Sequence, residues 1–424
     1  MPEQGVVSRS PMRVVLASVG TRGDIQPMAA LAQALVRGRH EALIACPATF
    51  GPWITSLGLE HQPLGEDLTA KMQESGGKLE RSLAGMKQYF TEQMLAQAPA
   101  LLQMSEGADV ILGTGMAWMA PSVAEKLGIP AFVLFPSTCV PSRLHPPPLM
   151  PWYGLPRWVN GLLWWLNDRI QDSLMGKPWG AGRAALGLPA KPSFTRHLFH
   201  EVPGVFAADE ALLPPDPAWQ GRTPYTGFLF LDDPTPLDEA LSAFLDAGPP
   251  PICVGFGSMA GGGPERVGAL LEQAIPETER CVVIAGSAKL FGDRPVPARF
   301  FVAKSAPFGR LFPRCAVVVH HGGSGTTAIA ARAGVPQVVT PVMLDQFHHA
   351  HHVVRAGLGP KAPKITQVTA TSLRAALDAA RAIPDAPRRA MAERLQRSDA
   401  SAAFVALLEK ATSSPSGGAA ARSR

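Results

Sequence analysis

The residues with the most chemical potential stand between His320 and Gln346. Two histidines are followed by Gly322, Gly323, Ser324, Gly325, Thr326 and Thr327, and further on by the pair Asp345-Gln346. Glycines in a turn let backbone N–H groups approach a ligand closely, because no Cβ stands in the way. A helix N-terminus beyond them adds free N–H donors and the positive end of the helix dipole, which together favour a phosphate. His320, at a strand end, can add a ring N–H to a phosphate oxygen, while a carboxylate and an amide at 345 and 346 suit sugar hydroxyls. Phosphate first and hydroxyls second describe a nucleotide-sugar.

The elements that must position these groups are legible around them. Ala316 to Val319 is a short apolar run that predicts a buried strand. The alanine-rich AIAARAG predicts a helix stopped by Gly334 and Pro336. Gln337 to Thr340 predicts a second strand. Two other phosphate motifs are excluded. There is no GxxxxGK[ST] loop, and the glycines do not make GxGxxG with an acidic residue about 20 positions on.

HHGGSGTT followed by PVMLDQ resembles the donor-binding signature of nucleotide-sugar-dependent glycosyltransferases of the GT-B fold. The resemblance is to the branch that holds sterol glucosyltransferases, antibiotic glycosyltransferases and rhamnosyltransferases, and it spans about residues 12 to 410 in motif order. It implies an α/β chain of two Rossmann-like domains facing across a cleft, with a C-terminal helix crossing back to the first. It also implies inverting, metal-independent transfer from a UDP-sugar, UDP-glucose first, to a hydroxyl of a lipophilic acceptor such as a sterol, steroid, polyketide or lipid. No prosthetic group and no metal site are expected. The alternatives are a non-catalytic GT-B partner protein that activates another transferase, and a dTDP-sugar rhamnosyltransferase of glycolipid synthesis. By the same resemblance the donor is held by Ser258, Ser305 and Ala306, by His320, Gly322, Gly323, Ser324, Gly325 and Thr326, and by Asp345 and Gln346. No aromatic stands where plant relatives stack a Trp on the base.

Bulk properties agree with a globular chain. The 424 residues suffice for two cores, with 46% hydrophobic and 17% charged residues. The net charge of +5 comes without a dense Lys/Arg block, so nucleic acid is not an expected partner. Five scattered cysteines without CxxC predict reduced, buried thiols and a cytoplasmic location. His348, His349, His351 and His352 could bind metal, but the pattern is read as a partly exposed polar helix.

Residues 13 to 19, a Gly20-to-Asp24 turn, a helix from Pro27 to Val36 and a strand from Ala42 to Ala45 make a Rossmann-like β-α-β opening. Asp24 there is either a helix N-cap or a carboxylate able to take a proton from an attacking hydroxyl. GTRGDIQP resembles the first loop of sterol and antibiotic glycosyltransferases, whose matching Asp is the proposed base. After Phe135 the proline-rich stretch with Trp152, Trp158, Trp164 and Trp165 is the least regular part. It is either an acceptor pocket whose lip makes a peripheral membrane contact or an excursion packed on its domain. The expected organisation is an acceptor domain over 1–231, a linker and lead-in helix over 232–248, a donor domain over 249–395, a crossover helix over 396–412 and a disordered tail over 413–424.

Overall fold

A computed structural model describes residues 11–66, 83–148, 150–255, 264–286 and 289–413 of the chain. Ser258, the glycines 261–263 and the tail from 414 onward lie outside them. Helices of eight residues or more are numbered here.

The first sheet has six strands: β1 (Arg13–Val19), β2 (Glu41–Cys46), β3 (Glu60–Pro63), β4 (Val110–Gly115), β5 (Ala131–Phe135) and β6 (Gly204–Phe206). Their order is β3-β2-β1-β4-β5-β6. β1 pairs in parallel with both β2 and β4, Val14 lying opposite Ala42 and Val110. This is the doubly wound order, whose strand order reverses between β1 and β4. Helices α1 (Arg22–Arg37), α2 (Leu83–Met104), α3 (Ala120–Leu127) and α4 (Arg157–Ala185) follow in chain order.

β1 is apolar at nearly every position because both faces are covered. Val15, Ala17 and Val19 enter a core with Met94, Ala98 and Leu101 of α2 and Met119, Ala120 and Val123 around α3. α1 packs on β1 and β2. It starts earlier than the proline at 27 suggests. Thr21 and Asp24 form a capping box that begins the helix at Arg22 and leaves Pro27 inside it.

The second sheet joins β7 (Ile252–Gly255), β8 (Cys281–Ile284), β9 (Phe300–Ala303), β10 (Val317–His320) and β11 (Gln337–Val339). Its order is β11-β10-β7-β8-β9, all parallel, so β7 and β10 form the equivalent switch point. Alternate residues serve opposite faces. Val317 and Val319 pack with Leu271, Leu373 and Leu377, whereas Val318 packs with Leu241, Leu245 and Phe312. The helices are α5 (Glu239–Asp246), α6 (Pro264–Ala274), α7 (Ser324–Arg332), α8 (Gln346–Arg355), α9 (Ala370–Arg381) and α10 (Asp385–Arg397).

The chain forms two compact units. The first comprises the described residues up to Leu134, Arg169–Val205 and those from Ala400 on, and the second comprises Phe135–Asp168 and Phe206–Asp399. The last helix, α11 (Ala400–Ser413), therefore belongs to the first unit, where it packs on α1. His40 ties it down: Nδ1 accepts the Met12 N–H at 3.1 Å, and Nε2 lies 3.4 Å from Glu409 Oε1.

The tryptophan-rich stretch is more regular than its prolines suggest. They cluster before Arg157, and the 29 residues that follow form one helix, with Pro178 inside it. Within that helix Trp158, Leu162, Trp165 and Leu166 are exposed at spacings of four, seven and eight residues, which put them on one face. Among the described residues no helix is long and apolar enough to cross a membrane.

Candidate active site

In each sheet the chemistry-bearing residues stand at the carboxyl edge, beside the point where the strand order reverses. In the first sheet β1 runs out through Gly20 and Thr21 into α1. Asp24 is the third residue of the helix rather than its cap; the cap is Thr21. One carboxylate oxygen accepts the Thr21 N–H at 2.8 Å and the Thr21 hydroxyl at 3.0 Å. Gly20 and Gly115 leave the space that Asp24 occupies. A Cβ on Gly20 would lie 2.5 Å from Asp24 Oδ2, and one on Gly115 would lie 3.5 Å from Asp24 Cβ and 2.4 Å from the Val19 carbonyl. The carboxylate is half-buried and fixed at the strand edge. That geometry suits a base that must be aimed before its substrate arrives.

In the second sheet β10 ends at His320, and α7 starts at Ser324 behind Gly323 as N-cap. Ser324, Gly325 and Thr326 are the first three helical residues, so their N–H groups have no intrahelical carbonyl to reach. Gly325 faces open space. The Ser324 hydroxyl is engaged, donating to the Pro136 carbonyl at 2.6 Å. Gly322 has φ +93, and a Cβ there would lie 2.7 Å from Val339 Cγ1.

The expected role of His320 is corrected by its surroundings. The ring is fully buried, Nδ1 accepts the Gly322 N–H at 3.1 Å, and Nε2 donates to Gln337 Oε1 at 3.0 Å. Burial, followed by the neighbouring His321, pushes its pKa down to about 3. Both nitrogens are spent inside the protein, so no ring N–H remains for a phosphate. His321 is placed differently. It is only partly buried, its Nδ1 has no hydrogen-bond partner among the described residues, and its Nε2 lies where a Cβ on Gly323 would come within 2.8 Å. Burial lowers its pKa, while the Gly255 carbonyl and the Asp345 carboxylate oppose that shift. Strand alternation carries the signal that separates the two histidines. His320 continues the buried β10 pleat on the side of Val318, and the next residue leaves the strand.

Asp345 precedes α8 without capping it: its side chain makes no cap hydrogen bond and is about one-third exposed, at 32%. Gln346 is buried, and its Oε1 accepts the N–H groups of Val342 and Met343 at 2.8 and 3.1 Å. The expected pair therefore divides. Gln346 braces the loop, and Asp345 presents the carboxylate. Ser305 and Ala306 follow β9 on the same sheet edge, Ser305 exposed and Ala306 half-buried.

Sequence reasoning took His349 only as one of four histidines on a polar helix. Its Nδ1–H donates to the Gly322 carbonyl at 2.7 Å, and its Nε2 lies 3.9 Å from Asp345 Oδ2. It joins the glycine turn to the loop that carries Asp345. The helix that bears it is partly exposed, at Val354 and Arg355, but its histidines face inward more than expected: His348, His349 and His352 are buried.

Comparison with known proteins decides the family. Residues 14–145 match the glycosyltransferase family 28 N-terminal domain, and residues 270–406 match the erythromycin biosynthesis protein CIII-like C-terminal domain. The chain is 34% identical over 360 residues to the vancomycin aglycone glucosyltransferase of Amycolatopsis orientalis, covering 82% of this chain and 85% of that one. It belongs to the GT-B glycosyltransferases. The sterol 3-beta-glucosyltransferase UGT80B1 of Arabidopsis thaliana is 27% identical over 389 residues, covering 85% of this glycosyltransferase and 62% of the relative. The crystal structure of the glycotransferase of kitacinnamycin superposes with a TM-score of 0.72 at 19% identity, covering 95% and 99% of the two chains. That of VinC in complex with dTDP gives 0.66 at 21% identity, again covering 95% and 99%. These two likenesses concern the fold.

The glycosyltransferase should be acid-labile through its buried imidazoles. Burial lowers His348 well below the usual histidine range and brings His352 to about 3 and His351 to about 4. A group whose folded pKa is depressed from about 6.5 is protonated first in the unfolded chain. Its stabilising contribution is complete above that pH and is lost as pH falls towards 3 to 4. The melting temperature should hold from pH 8 to 7 and drop steadily from pH 6.5 to 4.5. A flat profile over that lower range would contradict the buried, neutral assignment.

Proposed function

We propose that this glycosyltransferase moves glucose from UDP-glucose to a hydroxyl of a lipophilic acceptor with inversion, the first unit taking the acceptor and the second the donor. The observation that carries the reading is the pairing of chemistry with topology. A fixed carboxylate, Asp24, stands at one switch point, and a glycine turn with open helix N–H groups stands at the other. Asp24 takes the proton from the acceptor hydroxyl as the hydroxyl attacks the anomeric carbon. The bond from that carbon to the diphosphate breaks, and the leaving group's growing negative charge meets His321 and the N–H groups of Ser324, Gly325 and Thr326. No step requires a metal ion. Gly322 and Gly323 let the backbone approach, Ser305 and Ala306 border the base, and Asp345 reads sugar hydroxyls with Gln346 bracing its loop. The names of the vancomycin aglycone and sterol relatives support glucose, and that of the sterol relative supports an apolar acceptor. A second reading, a dTDP-sugar donor, is favoured by the fold neighbours crystallised with dTDP and thymidine diphosphate. Competition between UDP-glucose and dTDP-glucose at equal concentration separates the two.

The exposed face of α4 supports a peripheral lipid contact, through which an acceptor of this kind would arrive. Trp158 is 72% exposed and Trp165 55%, and an indole gains by settling at a lipid–water boundary. Replacing both with Ser should weaken co-sedimentation with phospholipid vesicles while leaving UDP binding unchanged. Equal sedimentation of parent and variant would remove the membrane contact from the reading.

Asp24→Asn keeps an oxygen for the Thr21 N–H but loses the base. Turnover should fall by about 100-fold or more with nucleotide affinity retained. Near-normal turnover would leave Asp24 with the capping role alone.

Calorimetry tests the donor half. His321→Ala should weaken UDP binding by about 1.5–3 kcal/mol, the range for a hydrogen bond to a charged group. Asp345→Ala should keep UDP affinity and lose only the increment that the attached sugar adds. Unchanged binding of both ligands by both variants would end the donor assignment.

A further inference from the structure

The buried histidines of α8 meet a second set of ligating side chains that glycosyl transfer does not use. Cys139 and His145 lie in the loop that follows β5, and His348 lies on α8. One ligand atom from each, a sulfur and two ring nitrogens, falls within a cluster whose members are all within 4.8 Å of one another. The His145 and His348 rings meet edge to face with centroids 4.6 Å apart. Both are buried, His348 to 1% exposure. Their surroundings hold them in place. Trp164 Nε1–H donates to the His145 carbonyl at 3.0 Å, and the Pro146 carbonyl lies 3.1 Å from His145 Nδ1. His348 Nε2 lies 2.9 Å from Thr138 Oγ1, and its Nδ1 lies 3.3 Å from the Tyr153 phenol.

The donor chemistry is selective. A thiol and two imidazoles suit zinc and other borderline-soft cations, whereas magnesium and calcium need oxygen ligands. Burial lowers the pKa of both histidines, which keeps them in the neutral form that binds metal. Burial, followed by the Asp345 carboxylate, pushes the Cys139 thiol well up, so a cation bound there must release the thiol proton, while the same carboxylate favours positive charge at the site. Geometry asks for a modest adjustment. Tetrahedral bonds of about 2.0–2.3 Å place donors roughly 3.4–3.7 Å apart, so a spread of up to 4.8 Å must close by about 1 Å. Cys139 is only partly buried, which makes its side chain the least confined of the three. A metal on His348 would displace one of two contacts, that of Nε2 with Thr138 or the longer one of Nδ1 with Tyr153.

We propose that Cys139, His145 and His348 form a zinc site, with solvent as the fourth ligand, that pins the loop after β5 to α8 within the second unit. Histidines at i, i+1, i+3 and i+4 of one helix do not make this site. It needs the thiol and imidazole from about 200 residues earlier in the chain.

The full-length chain, stripped with a chelator, is titrated with Co(II) as the spectroscopic probe and then with Zn(II) in competition. One Co(II) per chain should bind with a thiolate-to-cobalt charge-transfer band, and Zn(II) should displace it. Cys139→Ser should abolish the band and weaken binding by at least about tenfold, and His145→Gln should weaken it similarly. Cys253→Ser, a substitution in the β7 core, should retain both band and affinity. Zn(II) should raise the melting temperature of the parent and not that of Cys139→Ser. Cobalt binding without a charge-transfer band, or equal binding by parent and Cys139→Ser, would overturn the site and leave adventitious binding to other histidines. Because Cys139 is partly exposed, its Ser variant keeps the test available even where a His348 variant fails to fold.

Discussion

The candidate site of the second unit depends on one peptide unit. Gly322 sits at φ +93 with its N–H given to His320 and its carbonyl taken by His349. A buried hydrogen bond adds only about 1 kcal/mol net, but leaving either partner unpaired costs about 1–3 kcal/mol, so the two imidazoles hold the turn firmly. Glycine is required twice over here. The backbone is left-handed, and Val339 fills the space that a side chain would need. Everything downstream follows from that clamp: the direction of α7, the opening of its first N–H groups and the position of His321.

The same logic appears in the first unit with different parts. Asp24 is held by Thr21 in a capping box, and Gly20 and Gly115 clear the room around it. One oxygen of Asp24 makes the capping contacts, so the interaction that starts α1 also fixes the carboxylate at the strand edge. Both arrangements rest on parallel sheets whose buried strands give the carboxyl edge a rigid backing. In both, the polar residues stand beside the strands where the winding reverses.

α8 shows what burial does to a polar-looking segment. Packed against Tyr153, against one another and against the loop after β5, His348, His351 and His352 are held well below the usual histidine range and act as flat, partly polar packing units. His349 also links the glycine turn to Asp345, so the packing of this helix and the geometry of that turn are the same problem.

Much of this was readable from local signals. The HHGGSGTT and PVMLDQ segments, the strand–turn–helix order and the continuous apolar runs identify two parallel-sheet units and the glycosyltransferase family, because those signals are encoded within a few residues of one another. Three features needed the folded chain. His320 and His321 are adjacent and chemically identical in sequence. Only the pleat of β10 and the presence of Gln337 behind it turn one inward and leave the other at the turn. The tryptophan-rich stretch reads as irregular because prolines dominate composition over a short window, yet they end before Arg157, and a long helix follows with five large apolar residues left exposed. The histidine helix reads as a polar surface because periodicity reports which residues share a face and not what covers it. The cover, and with it the convergence of Cys139, His145 and His348, comes from a segment about 200 residues away. Contacts at that separation are set by tertiary packing, and local propensity carries no record of them.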